Sequence, residues 1–173
     1  RFILDEKINI NGYSPSNFNQ VYYGYISAKD SLCKSLNSCA VKLLNNFGIE
    51  KAKNYVSKTD IELTKNDNSL CIALGSTEKG ASLKEITSAY NTFANDGYYS
   101  TPTCINKIDD ELGNTVYQSQ SSKTKIFSED TSYLINSALN DCTKTGTAKK
   151  LSKFNFNICA KTGTVGNENG NTD

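Results

Sequence analysis

Phe154-Asn155-Phe156-Asn157-Ile158-Cys159-Ala160-Lys161-Thr162-Gly163-Thr164 is the stretch on which the fold turns. Phe154, Phe156, Ile158 and Ala160 alternate with more polar residues, the period of two that lines one face of a β-strand. The expected strand covers 154–164 and ends in Lys161-Thr162-Gly163-Thr164, which brings a lysine, two hydroxyls and an unobstructed glycine backbone to one strand end. The same four residue types recur at Lys144-Thr145-Gly146-Thr147, with no strand before them. That copy follows a helical pattern ending near Cys142 and precedes Ala148-Lys149-Lys150-Leu151, so it reads as a helix terminus with a structural role.

Outward from this strand the chain is mostly helical. Ser128 caps a helix with Leu134, Ile135, Ala138 and Leu139 on one face. Two β-rich runs between Tyr98 and Tyr117 flank Asp109-Asp110-Glu111-Leu112-Gly113-Asn114, the pattern of a hairpin. Ser82-Leu83-Lys84-Glu85 is a capping box, and Leu83, Ile86, Ala89, Tyr90 and Phe93 make an apolar face before Gly97 ends that helix. Farther upstream, Ile49 to Ser57 reads as a helix. Before it, a helix from about Ser38 carries Ala40, Leu43, Leu44 and Phe47 at helical spacing, with Gly48 to end it. Ser27 and Asp30 open a short helix that gives out near Asn37, and residues 1–26 read as extended and loop-like. Helices with a late strand and no internal repeat make an α+β domain.

Bulk properties narrow the function. The 173 residues suffice for one compact core, and 37% hydrophobic with 21% charged residues is ordinary for a globular protein. A net charge of +1 provides no basic field for nucleic acid, and no apolar stretch reaches the length of a membrane span. The start at Arg1-Phe2-Ile3-Leu4-Asp5 is not a signal peptide and the chain has no methionine, which suggests a piece of a longer protein with any membrane anchor outside it. Cysteines 33, 39, 71, 104, 142 and 159 show no C-x-x-C spacing, so no metal and no cofactor is expected; their even number permits disulfides, but apolar neighbours favour buried thiols. The absence of histidine removes Ser-His-Asp and Cys-His catalysis and leaves lysine as the natural acid–base partner.

Lysine-assisted serine chemistry needs a serine and a lysine on one helical turn. Ser31-Leu32-Cys33-Lys34 has that spacing, but Ser35 follows at once, and one turn cannot readily supply both a nucleophile and a group approaching from the opposite side. Ser76-Thr77-Glu78-Lys79 and Ser122-Lys123-Thr124-Lys125 lie in polar loops. Ser35-Leu36-Asn37 falls between two expected helices, where an exposed hydroxyl and amide can converge on a substrate; alternatively, Asn37 merely ends one helix while Ser38 caps the next.

These motifs sit in flanking sequence that is similar to the class A (bifunctional) penicillin-binding proteins. S-x-x-K, a serine triplet and K-T-G together mark penicillin-recognising serine enzymes. Tyr13-Ser14-Pro15-Ser16-Asn17-Phe18, Tyr23-Gly24, and Ser35-Leu36-Asn37 continuing through Leu44 resemble the stretch around their S-x-N motif. Ala73-Leu74-Gly75-Ser76, then Ser88 to Gly97, resemble their most recognisable helix, and Gly146-Thr147-Ala148 and Ala160 to Thr164 follow in the same order. The resemblance covers nearly the whole chain. It implies a penicillin-binding-protein/serine β-lactamase-like transpeptidase fold, incomplete at both ends, with residues 1–173 as its central part. The nucleophilic serine would then lie before Arg1.

By the same resemblance, Ser35 would relay a proton, Asn37 would hold substrate and Lys161 would tune the site's electrostatics. Thr162 and Thr164, with Gly163 between them, would bind the terminal carboxylate of a D-Ala-D-Ala stem peptide or a β-lactam, and the backbone N–H of Thr164 would be half of the oxyanion hole. The reaction implied is cross-linking of peptidoglycan by serine acyl transfer on the outer face of the bacterial membrane. A glycosyltransferase domain and membrane anchor are implied farther upstream. A D,D-carboxypeptidase or β-lactamase-like hydrolase, or a non-catalytic binding domain of the same fold, would share these motifs.

Overall fold

A computed structural model describes residues 1–120 and 122–163. The described residues divide into two compact units, 1–43 with those from 134 onward, and those within 44–133.

In the first unit, strand β1 (Phe2–Asp5) pairs antiparallel with β2 (Gly24–Ser27), matching Phe2 to Ser27 and Asp5 to Gly24. The cross-strand partners Ile3 and Ile26 are both buried, and with Leu36 and Cys39 they form a core cluster against which Ala28 and Leu43 pack. Phe2 and Tyr25 lie on the opposite face, exposed, as strand alternation requires. Residues 1–27 therefore contain two strands where an extended, loop-like stretch was expected over 1–26. Their partners lie about twenty positions apart, too far for a hairpin signal in the sequence.

Helix α1 (Ala28–Cys33) follows, with the Ser27 hydroxyl accepting from the Asp30 N–H at 3.0 Å as the sequence indicated. Helix α2 (Asn37–Phe47) starts one residue earlier than expected and ends at Gly48, whose φ of +99° requires glycine. The C-terminal part of α5 (Glu129–Lys144) completes this unit, burying Ala138, Leu139 and Cys142.

The second unit contains α3 (Ile49–Val56), α4 (Leu83–Ala94) and two small antiparallel sheets: β3 (Tyr98–Ser100) with β6 (Lys123–Lys125), and β4 (Lys107–Asp109) with β5 (Thr115–Gln118). The expected hairpin is β4–β5, and its turn is shaped by Asp110 Oδ1, which accepts from the N–H groups of Leu112 and Asn114. The capping box of α4 is complete: the Ser82 hydroxyl and the Glu85 carboxylate each accept the other's backbone N–H. The packed face of α4 differs from the expected one. Ser88 and Thr92 are buried and Ala89 and Phe93 half-buried, whereas Leu83, Ile86 and Tyr90 are exposed. The aromatic packing of this unit is a row in which Phe47, Tyr55, Phe127 and Phe93 meet at ring-centroid distances of 5.9, 5.5 and 5.3 Å.

The strand expected over 154–164 does not form among the described residues. Residues 149–153 make a single 3₁₀ turn, and 157–163 belong to no strand. The physical reason lies in α5, whose side chains and backbone occupy the polar groups a strand partner would use. Asn140 Nδ2 donates to the Ile158 carbonyl at 2.9 Å and Thr143 Oγ1 to the same oxygen at 3.1 Å, while the Ala160 N–H reaches the Leu139 carbonyl at 3.3 Å.

Candidate active site

Ser35 sits where α1 ends, and the ending has a defined geometry. The Leu36 N–H bonds the Ser31 carbonyl and the Ser35 N–H bonds the Leu32 carbonyl, each at 3.0 Å, the paired bonds of a Schellman motif. This geometry requires a left-handed residue at the position of Ser35, and its φ is +57°. Glycine is the usual occupant, so an L-residue there carries backbone strain. Leu36, next in the chain, is buried in the core and anchors the turn.

Ser35 is exposed at this turn, and Lys161 meets its hydroxyl there. Lys161 Nζ donates to Ser35 Oγ at 2.8 Å and to the Thr162 carbonyl at 3.0 Å. Because the serine oxygen accepts from lysine, its own proton remains available for donation elsewhere, as a proton relay needs. Burial pushes the Lys161 ammonium below the ordinary lysine pKa, so it holds its proton less firmly than a surface lysine would.

Asn37 opens α2, where its Nδ2 donates to the Ser16 carbonyl at 2.8 Å and leaves one amide hydrogen for another acceptor. The neighbouring turn is fixed from below by a buried polar group. The Asp5 carboxylate accepts from Asn17 Nδ2 at 2.8 Å, from the Tyr23 N–H at 2.9 Å and from the Ser38 hydroxyl, while Asn17 Oδ1 accepts from the Ser38 N–H. Ser38 thus lies inside α2 rather than capping it, and its hydroxyl ties the helix start to β1. Sequence gives no sign of this network, since Asp5, Asn17 and Ser38 are far apart in the chain.

Thr162 and Gly163 are exposed beside Lys161, and a Cβ built on Gly163 meets nothing within 4 Å among the described residues. Packing does not explain glycine at that position. Thr164 lies outside the described residues.

The earlier K-T-G-T copy does close α5, as expected: Lys144 is the last helical residue, and the Thr145 and Gly146 N–H groups bond the carbonyls of Asp141 and Cys142. Yet it also touches the site. The Thr147 hydroxyl lies 2.7 Å from the Thr162 hydroxyl, and the Thr147 N–H bonds the Cys33 carbonyl at 3.0 Å. Gly146 is obligatory there, because a Cβ would lie 2.5 Å from the Cys33 carbonyl oxygen. Thr147 is the residue that sequence reasoning passed over. The duplicated motif was the signal available, and only folding shows that its two copies meet through their threonines.

The S-x-x-K candidates do not assemble as serine–lysine pairs. Ser31 is buried with its hydroxyl donating to the Ala28 carbonyl at 2.8 Å, and Lys34 lies over the Tyr23 ring. Lys79 is ion-paired to Glu62, and Lys125 lies over the Tyr98 ring.

Comparison with known proteins places this geometry in context. Residues 2–173 match the family model "Penicillin binding protein transpeptidase domain". Among curated relatives, the chain is 33% identical over 163 residues to penicillin-binding protein 1F of Bacillus subtilis (strain 168), an alignment covering 94% of this chain and 22% of that protein. It is 35% identical over 153 residues to penicillin-binding protein 4 of the same organism, covering 88% of this chain and 24% of the relative. The chain thus spans about a quarter of these relatives or less. The solved D,D-transpeptidase domain of a peptidoglycan glycosyltransferase from Eggerthella lenta superposes with a TM-score of 0.80 at 18% identity, covering 95% of this chain and 48% of that one. That likeness shows the fold.

Proposed function

Since the chain belongs to the penicillin-binding protein transpeptidase domain family, we propose that it is the central part of a serine D,D-transpeptidase domain acting on peptidoglycan stem peptides outside the cytoplasm. The observation that carries this reading is the 2.8 Å bond from Lys161 Nζ to Ser35 Oγ, which joins the S-x-N turn to the K-T-G segment across 126 residues of sequence. In this reading a serine on a flanking segment, absent from this chain, attacks the carbonyl of a D-Ala-D-Ala terminus and expels D-Ala. An amine from a neighbouring stem then takes the acyl group.

Ser35 relays the proton to the leaving nitrogen, and Asn37 supports the substrate amide with its remaining N–H. Lys161, Thr162 and Thr164 receive the terminal carboxylate of the stem peptide or of a β-lactam, and the Thr164 backbone N–H contributes to the oxyanion hole. A flanking nucleophile is supported by the state of Ser31, whose hydroxyl is buried and bonded to backbone. Segments on either side would complete the domain, and any membrane anchor would lie beyond them. Among the described residues no helix is long and apolar enough to cross a membrane.

Covalent labelling of the intact protein with a fluorescent penicillin tests the reading. Labelling is expected, and Lys161→Ala should slow it by about 10²-fold or more, the usual scale for one electrostatic or proton-transfer group. Lys144→Ala, at the exposed end of α5, should leave the rate near wild type. An unlabelled intact protein would turn the assignment toward a non-catalytic binding domain, and equal effects of the two lysines would undo the distinction between the motif copies.

A further inference from the structure

Two cysteines that the acyl-transfer chemistry does not use lie against each other directly beneath the Ser35 turn. Cys33 is the last residue of α1 and Cys142 lies in the last turn of α5; their sulfurs are 3.4 Å apart although the residues are 109 positions apart in sequence. Both are buried, at 3% and 0% exposure. Their backbones are fixed near one another through a shared segment: the Gly146 and Ala148 N–H groups bond the Cys142 carbonyl, and the Thr147 N–H bonds the Cys33 carbonyl. Gly146 packs so tightly between them that a Cβ would lie 2.9 Å from the Cys142 Cα as well as 2.5 Å from the Cys33 oxygen. The sulfurs would have to approach by only ~1.4 Å to reach covalent S–S distance.

We propose that Cys33 and Cys142 are a disulfide-forming pair, whose closure ties the turn bearing Ser35 covalently to the helix end bearing Thr147. The oxidant is a low-molecular-weight or protein disulfide. The thiolate of one cysteine attacks it to give a mixed disulfide and release one thiol, and the second cysteine then displaces the other. The net change is two protein thiols and one oxidant disulfide becoming one protein disulfide and two thiols. The pairing goes beyond the transpeptidase reading and stands on separate observations, since it needs neither Lys161 nor a nucleophilic serine. Burial, with the neighbouring Cys142 thiol, raises the Cys33 pKa well above its ordinary value, so little attacking thiolate exists once the chain has folded. Closure therefore belongs to folding, before the site is packed.

The experiment refolds the intact protein in a mixture of oxidised and reduced glutathione, blocks remaining thiols with N-ethylmaleimide in denaturant, and maps the digest by mass spectrometry. The expected result is a linked peptide pair joining Cys33 to Cys142, lost on reduction, with Cys104 alkylated. The oxidised protein should melt several degrees above the reduced one. Recovery of Cys33 and Cys142 both alkylated overturns the proposal, as does pairing of either with Cys39 or Cys159. Cys104→Ser, at an exposed position, should leave the linked pair intact; loss of the pair in that variant also counts against it.

Discussion

Ser35 occupies a backbone position that glycine ordinarily fills, and this sets stability against chemistry at a single residue. Its left-handed φ costs on the order of 1 kcal/mol for an L-residue, while its hydroxyl is what Lys161 binds. Ser35→Gly should raise stability by about 1 kcal/mol and lower penicillin acylation by roughly 10²-fold or more. Thermal unfolding and acylation kinetics on the intact protein check the two halves; a variant that is both less stable and fully active would refute the trade. Lys161 offers a test of the same site by pH. Because burial lowers its pKa, the folded chain releases this proton at lower pH than the unfolded chain does. Between the two values the unfolded state binds more protons, so this group makes stability rise with pH while an acylation step that needs the ammonium falls. The alkaline limb of the acylation profile should therefore lie below the ordinary lysine value, and Lys161→Arg, which stays charged, should move it upward. An unmoved limb would assign it to another group. The meeting of Ser35 with Lys161 was legible because short motifs carried both residues. Thr147 was not, because its copy of the motif also reads correctly as a helix end, and one role concealed the other.

At the scale of elements, local signals with a mechanism survived folding, and periodicity placed helices α2 and α5 but not the strand expected over 154–164. The Ser27 cap and the Ser82 capping box are made as the sequence indicated, each worth about 1 kcal/mol. The alternation over 154–160 was genuine, but a strand exists only with a partner, and α5 satisfies that backbone instead. On α4 the apolar residues suggested one buried face, yet only Ala89 and Phe93 of that face are half-buried while Ser88 and Thr92 are the fully buried residues, a distinction that hydrophobicity cannot encode. Gly97 shows what the sequence half revealed. The helix ends earlier than expected, at Ala94, and Gly97 lies just past it at φ +89°, its N–H closing the end on the Thr92 carbonyl; it also accepts from the Ile126 and Phe127 N–H groups, and a Cβ on it would lie 2.2 Å from the Phe127 carbonyl oxygen. Gly97→Ala should therefore destabilise the protein by at least about 2 kcal/mol, from the unfavourable φ together with displacement of the chain at Phe127. Urea unfolding measures it. A loss below about 0.5 kcal/mol would mean that the Phe127 segment yields freely and that the contact does not define the end of α4.

At the scale of the molecule, the fold class was legible because the order of caps, turns and motifs runs through nearly the whole chain, whereas the extent of apolar exposure was not. The first unit concentrates its core on Ile3, Ile26, Leu36 and Cys39, while Phe2 and Phe18 stand 73% and 86% exposed. In the second unit Leu83 is 83% and Leu112 87% exposed, with Ile86 and Tyr90 farther along the same helix as Leu83. Isolated exposed apolar residues are normal, but a run along one helix face is the kind of surface that folded proteins cover. If flanking parts of the proposed transpeptidase domain cover it, the 173-residue chain produced alone should bind a hydrophobic dye and elute above its 19.0 kDa mass, and the intact protein should bind far less dye per chain. With a net charge of only +1, little long-range repulsion opposes that self-association. A dye-silent, monomeric chain with a sharp unfolding transition would show that these side chains tolerate water. The exposed face of α4 would then need no covering, and the case for flanking segments would rest on the proposed serine chemistry alone.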